Sequence, residues 1–217
     1  MRQSRPIPLI IKPNFAIVVD GETEVWYLQM LKRNERSINV NIEPKIPQRK
    51  KISEQFDTVI RLSEDYTKVF WIVDLDVILK ETKEAKQGNK TPLQAFLGYK
   101  ETITEKHLNI TFIINNPCLE FWLLLHFEMN AENFNNCSEA EILLKKYLPD
   151  YKKKAKYYTK EGSDIYLRLK PNLANALKNT KSLKVFDSEN PYKGISEMNL
   201  FFEANEFGDL FKNDNSF

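Results

Sequence analysis

Two apolar runs that stop on acids constrain this chain more than any other feature. "FAIVV" (15–19) and "KVFWIV" (68–73) are continuous and rich in β-branched and aromatic residues. Runs that do not alternate belong to strands covered on both faces, as in parallel sheets. The first run ends at Asp20, followed by Gly21, Glu22, Thr23 and Glu24. The second ends in Asp74 and Asp76. Three carboxylates within five residues, directly after a buried strand, need a physical reason.

The segments between these runs set the fold class. From Glu22 the spacing turns helical through Val25, Trp26, Leu28, Met30 and Leu31, with acids in the first turn where the helix dipole favours them. "INVNIE" (38–43) alternates as a strand, and "ISEQFDTVIRLSED" (52–65) carries an apolar helical stripe. "KVFWIVDLD" (68–76) reads as a third strand ending in acids. "TPLQAFLGYKETITEKH" (91–107) opens with the Thr-Pro of a helix start, and "NITFIINNP" (109–117) is a fourth strand. The order β-α-β-α-β-α-β predicts an α/β domain whose four-stranded sheet is mainly parallel and flanked by helices. Beyond Pro117 strands are not expected. "CLEFWLLLHFE" (118–128) reads as a buried helix, and 138–148, 163–180 and 194–207 show helical spacing. The division expected is a leader over 1–13, an α/β domain over 14–130 and a helical extension over 131–217. "QRKK" (48–51), "KETKEAKQGNK" (80–90) and "YKKKAKYYTK" (151–160) read as polar or basic interruptions.

With 32 Lys and Arg against 30 Asp and Glu, net charge says nothing about nucleic acid, and only a local patch can. Cys118 and Cys137 form no CxxC pair, so a zinc knuckle is not expected and a reducing cytoplasm is the simplest setting. No run of about 18 apolar residues predicts a membrane span.

In a parallel α/β sheet, ligands sit beyond the carboxyl ends of the strands. Asp20 and Asp74 fall there. Asp76 shares a strand face with Asp74 if the strand continues, and Glu24 lies one helical turn beyond Asp20. Like charges brought this close raise one another's pKa, and a divalent cation resolves the repulsion. Oxygen-only donors suit Mg²⁺ or Mn²⁺. The plainer alternative stays open: Asp20 as a helix cap, Glu22 and Glu24 as complements of the dipole, and the "DLD" acids as a surface turn.

"VVDGETEVWYL" (18–28) resembles the opening motif of Toprim domains, and "IVDLD" (72–76) resembles their DxD motif. "NNPCLEFWLLLHFE" (115–128) closely resembles the "NPcFElWlLLHF" signature of the RloB family. These are Toprim-like proteins found near restriction and phage-defence genes. "ENPYKGISEMN" (189–199) resembles that family's closing segment. The resemblance spans about residues 14 to 204. It implies a Toprim-like fold, a divalent metal site and a nuclease role in antiviral defence. By position it assigns the metal acids to Asp20, Glu24, Asp74 and Asp76, and the signature to Asn116, Pro117, Glu120, Trp122, His126 and Phe127. One position departs from the pattern. The family's first acid is usually glutamate, and Asp20 is shorter by a methylene, which puts catalysis in question but not the fold.

The signature helix holds Glu120 and His126 among Phe, Trp and Leu. A buried glutamate demands a partner. Glu120 either pairs with a basic residue or helix N-terminus, or joins the acids as ligand, orienting group or substrate contact. His126 reads as a satisfied core histidine, and Cys118 as core packing. Asn115 and Asn116 shape the turn before Pro117. In "YKKKAKYYTK", Lys152, Lys153, Lys154 and Lys156 would contact phosphate, with Tyr157 and its neighbours Tyr151 and Tyr158 stacking on bases. A solvated helix face is the alternative. Lys160, Arg168, Lys170, Lys178, Lys181 and Lys184 extend the positive bias.

The function expected is Mg²⁺-dependent hydrolysis of phosphodiester bonds in DNA or RNA, with Asp20, Glu24, Asp74, Asp76 and Glu120 catalytic. The alternative is a non-catalytic nucleic-acid- or nucleotide-binding module that works with a partner protein. There is no P-loop, so any ATP-driven step belongs to a second protein, such as a partner ATPase. A homo-oligomer is compatible with either reading.

Overall fold

The computed structural model describes residues 14–19, 21–36, 40–42, 51–86, 90–183, 185–207 and 211. The expected leader (1–13) and residues Asp20 and Lys184 lie outside them.

The sequence patterns become β1 (Phe15–Val18), α1 (Glu22–Asn34), β2 (Val40–Ile42), α2 (Ile52–Asp65), β3 (Lys68–Asp74), α3 (Leu75–Glu84), α4 (Pro92–Lys106) and β4 (Ile110–Asn116). The helical part follows as α5 (Leu119–Leu124), α6 (Cys137–Leu144), α7 (Ala155–Tyr158), α8 (Ile165–Leu169) and α9 (Leu173–Ser182). The chain then forms a short strand, β5 (Ile195–Ser196), and α10 (Asn199–Phe202). The sheet order is β2-β1-β3-β4-β5. The first four strands run parallel, and β5 pairs antiparallel with β4, Asn115 opposite Ser196.

The sheet is therefore mixed rather than parallel throughout, and residues 194–207 are not one helix. The physical reason lies at the end of β4. Asn116 Nδ2 donates to the carbonyls of Pro191 (2.9 Å) and Lys193 (2.6 Å), and Ser196 Oγ donates to Asn115 Oδ1 (2.8 Å). The two asparagines tie the returning chain to the sheet edge instead of merely shaping a turn. Gly194 permits this approach, because a Cβ there would sit 2.8 Å from the Phe134 ring and 2.9 Å from the Phe121 ring.

Two further expectations change. Strand β3 ends at Asp74, and Leu75, Ile78 and Leu79 bury one stripe of α3, so 75–84 is a helix and not a strand end plus polar interruption. Residues 163–180 are divided by Pro171, which lies in a 3-10 turn between α8 and α9.

Alternation along the strands sends side chains to two cores. Ala16, Val18, Val69, Trp71 and Val73 pack against α2, α3 and α4. Phe15, Ile17, Phe70, Ile72 and Ile113 pack against α1, α5 and the C-terminal helices. Asp74 shares the second face with Phe70 and Ile72. Among the described residues no helix is long and apolar enough to cross a membrane.

Candidate metal centre

The chain leaves β1 for β2 on one side and returns to β3 on the other. The crevice between the carboxyl ends of β1 and β3 is thus the topological switch point where α/β proteins bind ligands. Three helices and one strand deliver acids to it.

Glu24 comes from the first turn of α1 and is buried, with Thr23 Oγ1 donating to its Oε2 at 3.0 Å. Gly21 has ordinary extended backbone, and its need is spatial. A Cβ there would collide with Glu24 Oε2. Glu22 is exposed and remains a helix-dipole residue. Asp74 ends β3, and its Oδ2 accepts from Leu119 N at 3.1 Å, the first residue of α5. Asp74 Oδ1 is buried with no donor facing it. The Glu24 and Asp74 carboxyls lie within hydrogen-bonding range of each other. Two acids so placed satisfy one another only by sharing a proton or a cation.

Asp76 reaches the site from α3, not from a strand face shared with Asp74. Its Oδ1 accepts from Val77 N at 2.8 Å. Glu120, from α5, is buried. Its Oε1 accepts from Tyr151 Oη and pairs with Lys153 Nζ at 3.0 Å. Both readings of Glu120 hold together: it has a basic partner and it adds negative potential at Glu24, Asp74 and Asp76.

Burial pushes Asp74 well above the ordinary carboxylate range, and the Glu24 charge adds to it. Burial also raises Glu24, with Glu120 contributing and the Asp74 hydrogen bond opposing. Asp76 is raised by burial, against hydrogen bonds from the Val77 and Cys137 backbone. These acids keep their protons to higher pH in the folded state than in the unfolded chain. Stability from this source is present below about pH 4 and is lost as pH rises through the raised values. We expect the melting temperature of wild type relative to Asp74→Asn to fall from about pH 4 to about pH 8 in chelator. Mn²⁺, which binds the deprotonated acids, should reverse the fall. Parallel melts of the two proteins check this, and a difference that is flat or rises with pH would refute it.

The basic segment is only partly as expected. Tyr151 and Tyr158 are buried, with their hydroxyls paired, and cannot stack on bases. Tyr157 lies under the Arg168 guanidinium, 5.0 Å from its ring centre, and accepts from Arg168 Nη1 at 2.6 Å. Lys152, Lys154 and Lys156 are exposed. Lys153 is half engaged with Glu120, which outweighs burial and raises its pKa. Arg168, Lys170 and Lys181 pair with Asp150, Glu35 and Glu203, so the positive track does not continue through them. His126 packs in the core with Nδ1 at 3.1 Å from the Trp122 carbonyl, and burial lowers its pKa to about 4.

Two features were not read from the sequence. Cys118 is buried in the core as expected, but it is joined to Cys137 as a disulfide, which overturns the reduced state expected for both. Glu120 Oε2 lies 3.0 Å from Cys118 Sγ and 2.9 Å from Cys137 Sγ. The other is the Tyr158–Tyr151–Glu120 hydrogen-bond chain. The signal for both was Glu120 itself, an acid in an apolar helix that had to be met by something.

A family model described as RloB-like protein matches residues 15–204. The chain belongs to the RloB-like family. No curated protein and no solved structure matches it.

Proposed function

We propose that this RloB-like protein is a divalent-metal-dependent nuclease with a Toprim-like site at the β1–β3 switch point. The observation that carries the reading is the buried Glu24–Asp74 carboxyl pair, with Asp74 Oδ1 unpartnered and the charges of Glu120 and Asp76 near enough to raise the Asp74 pKa. The donor chemistry suits a hard cation, but among the described residues Glu24, Asp74 and Asp76 do not bring three ligand atoms within 4.8 Å of one another, so they would have to close around the ion. The donors are all oxygen, burial raises the pKa of Asp74, Glu24 and Asp76, and Gly21 leaves room for the Glu24 carboxylate. Glu24, Asp74 and Asp76 would hold Mg²⁺ or Mn²⁺, with Asp20 assigned by family resemblance. When bound, such an ion neutralises charge on the scissile phosphate and lowers the pKa of a coordinated water.

The chain's own residues do the rest. Leu119 N fixes the Asp74 carboxylate, and Tyr151 and Lys153 fix Glu120. Lys152, Lys154 and Lys156, exposed on the segment that carries Lys153 to the acids, would position the phosphate backbone. Antiviral defence and a partner ATPase belong to this proposal through the family.

Plasmid, single-stranded DNA and transfer RNA, each incubated with Mg²⁺, Mn²⁺ or chelator, test it. The expected result is metal-dependent cleavage of at least one substrate, lost in Asp74→Asn. Binding that survives both chelator and substitution, without cleavage, would replace the nuclease by the non-catalytic module.

A further inference from the structure

Behind the acids, Cys118, Glu120 and Cys137 bring three donor atoms within 4.8 Å of one another, all buried. The two sulfurs are bonded, and Glu120 Oε2 lies within 3.0 Å of both. That contact is chemically lopsided. A disulfide sulfur has no proton to donate, so a carboxylate oxygen there faces only lone pairs. Two thiols, separated to van der Waals distance on either side of Oε2, would each have a proton to donate to it. Glu120 therefore has different partners in the two redox states, while Oε1 keeps Tyr151 and Lys153 in both.

The pair also has an entry point. Cys137 is 9% exposed and Cys118 2%. Lys153 Nζ lies 3.1 Å from Cys137 Sγ, where an ammonium favours the thiolate needed for exchange. Cys118 caps α5, the helix carrying Glu120, and Cys137 opens α6, so the bond joins the two helices at the site.

We propose that Cys118 and Cys137 are a reversible dithiol–disulfide pair that conveys redox state to the carboxylate site through Glu120. In the reduced pair, two S–H donors hold Glu120 Oε2 away from the acids. Oxidation removes the donors, so that Oε2, which lies beside both sulfurs in the disulfide form, is no longer hydrogen-bonded there and can turn toward Glu24, Asp74 and Asp76. A low-molecular-weight disulfide is a sufficient oxidant. The Cys137 thiolate attacks one of its sulfurs, forming a mixed disulfide and expelling one thiolate. The Cys118 thiolate then attacks Cys137 Sγ, closing the internal bond and expelling the second. Two electrons leave on the expelled thiolates, which take up the two protons.

The consequence for cation affinity rests on the metal-centre reading above; the pair itself does not. The native full-length protein is equilibrated in ratios of oxidised to reduced dithiothreitol and alkylated. The expected result is a reversible change between no and two modified cysteines. The carboxyl region of the reduced-minus-oxidised infrared difference spectrum should show a Glu120 band that vanishes in Glu120→Gln. Mn²⁺ titration should give about three- to tenfold tighter binding to the oxidised form, as expected for release of one or two hydrogen bonds. Cys137→Ser should remove the redox dependence of both signals. Thiols that stay bonded in excess reductant, stoichiometric zinc shielding both from alkylation, or no Glu120 band would each overturn the pair as a redox element. A Glu120 band without Mn²⁺ binding in either state would instead overturn the metal-centre reading and leave the pair standing.

Discussion

Asp74→Asn should stabilise the metal-free protein while abolishing its response to Mn²⁺. Most substitutions of a buried residue destabilise, so the sign is informative. Asp74 is flanked by Glu24 and Asp76 with Glu120 beyond, and its Oδ1 has no donor. Asparagine keeps an oxygen for Leu119 N and offers an amide to Glu24, taking the place of the shared proton without its pH dependence. Relief of like-charge repulsion at neutral pH is worth about 1–2 kcal/mol, or about 2–8 °C in a chain of this size. The same change removes a central candidate ligand, so the Mn²⁺-induced rise in melting temperature should disappear. Scanning calorimetry with chelator and with Mn²⁺ measures both. A variant less stable than wild type in chelator, or one that keeps its Mn²⁺ shift, would show that the acids are not held in repulsion for a cation.

The second large effect lies far from the acids. Asp164 is fully buried and joins two helices, α1 and α8. Its Oδ2 accepts from Arg33 Nη2 at 2.7 Å and Asn34 Nδ2 at 3.0 Å, and its Oδ1 caps α8 through Leu167 N at 3.0 Å. Asp164→Ala should cost about 2–4 kcal/mol, from a lost cap and buried polar partners left without an acceptor. Arg33 is 43% exposed in its side chain and can rehydrate, so Arg33→Ala should cost less. Urea denaturation of both variants decides. Equal small losses of about 0.5 kcal/mol or less would reduce Asp164 to a cap. Because α1 also carries Glu24, loosening of this anchor should weaken Mn²⁺ binding as well.

These two carboxylates differ in how far the sequence revealed them. Asp74 follows an uninterrupted apolar run, and the end of a buried strand is where α/β ligand sites form, so its place was readable from pattern alone. Asp164 sits in a polar stretch after a lysine run, and nothing local distinguishes it from a surface aspartate. Its partners lie 130 and 131 residues away. Asp76 falls between these cases. Its nearness to the acids followed from the sequence, but its element did not. The buried stripe of Leu75, Ile78 and Leu79 could have marked the helix, and the acids drew attention from it.

The cysteines and tyrosines make the same point at the site. Glu120 in an apolar helix required a partner, and one reading supplied a basic residue, which Lys153 is. That Tyr151 would turn inward to it, and that Cys137 would close on Cys118 across 19 positions, depended on how 131–158 folds back over α5. The lysine run beside these tyrosines read either as a nucleic-acid contact or as a solvated face; its lysines are exposed, Lys153 while paired with Glu120, but Tyr151 and Tyr158 are core.

The order of residues by itself determined the α/β class, the four strands of the parallel part and the strand ends on which acids would lie, because period and run length are local properties that burial enforces. Tertiary structure alone decided which acids meet, what neutralises Glu120, where the fifth strand pairs and that the two cysteines join. Those outcomes depend on distances between segments far apart in the chain, and such distances are fixed only once helices and sheet have packed.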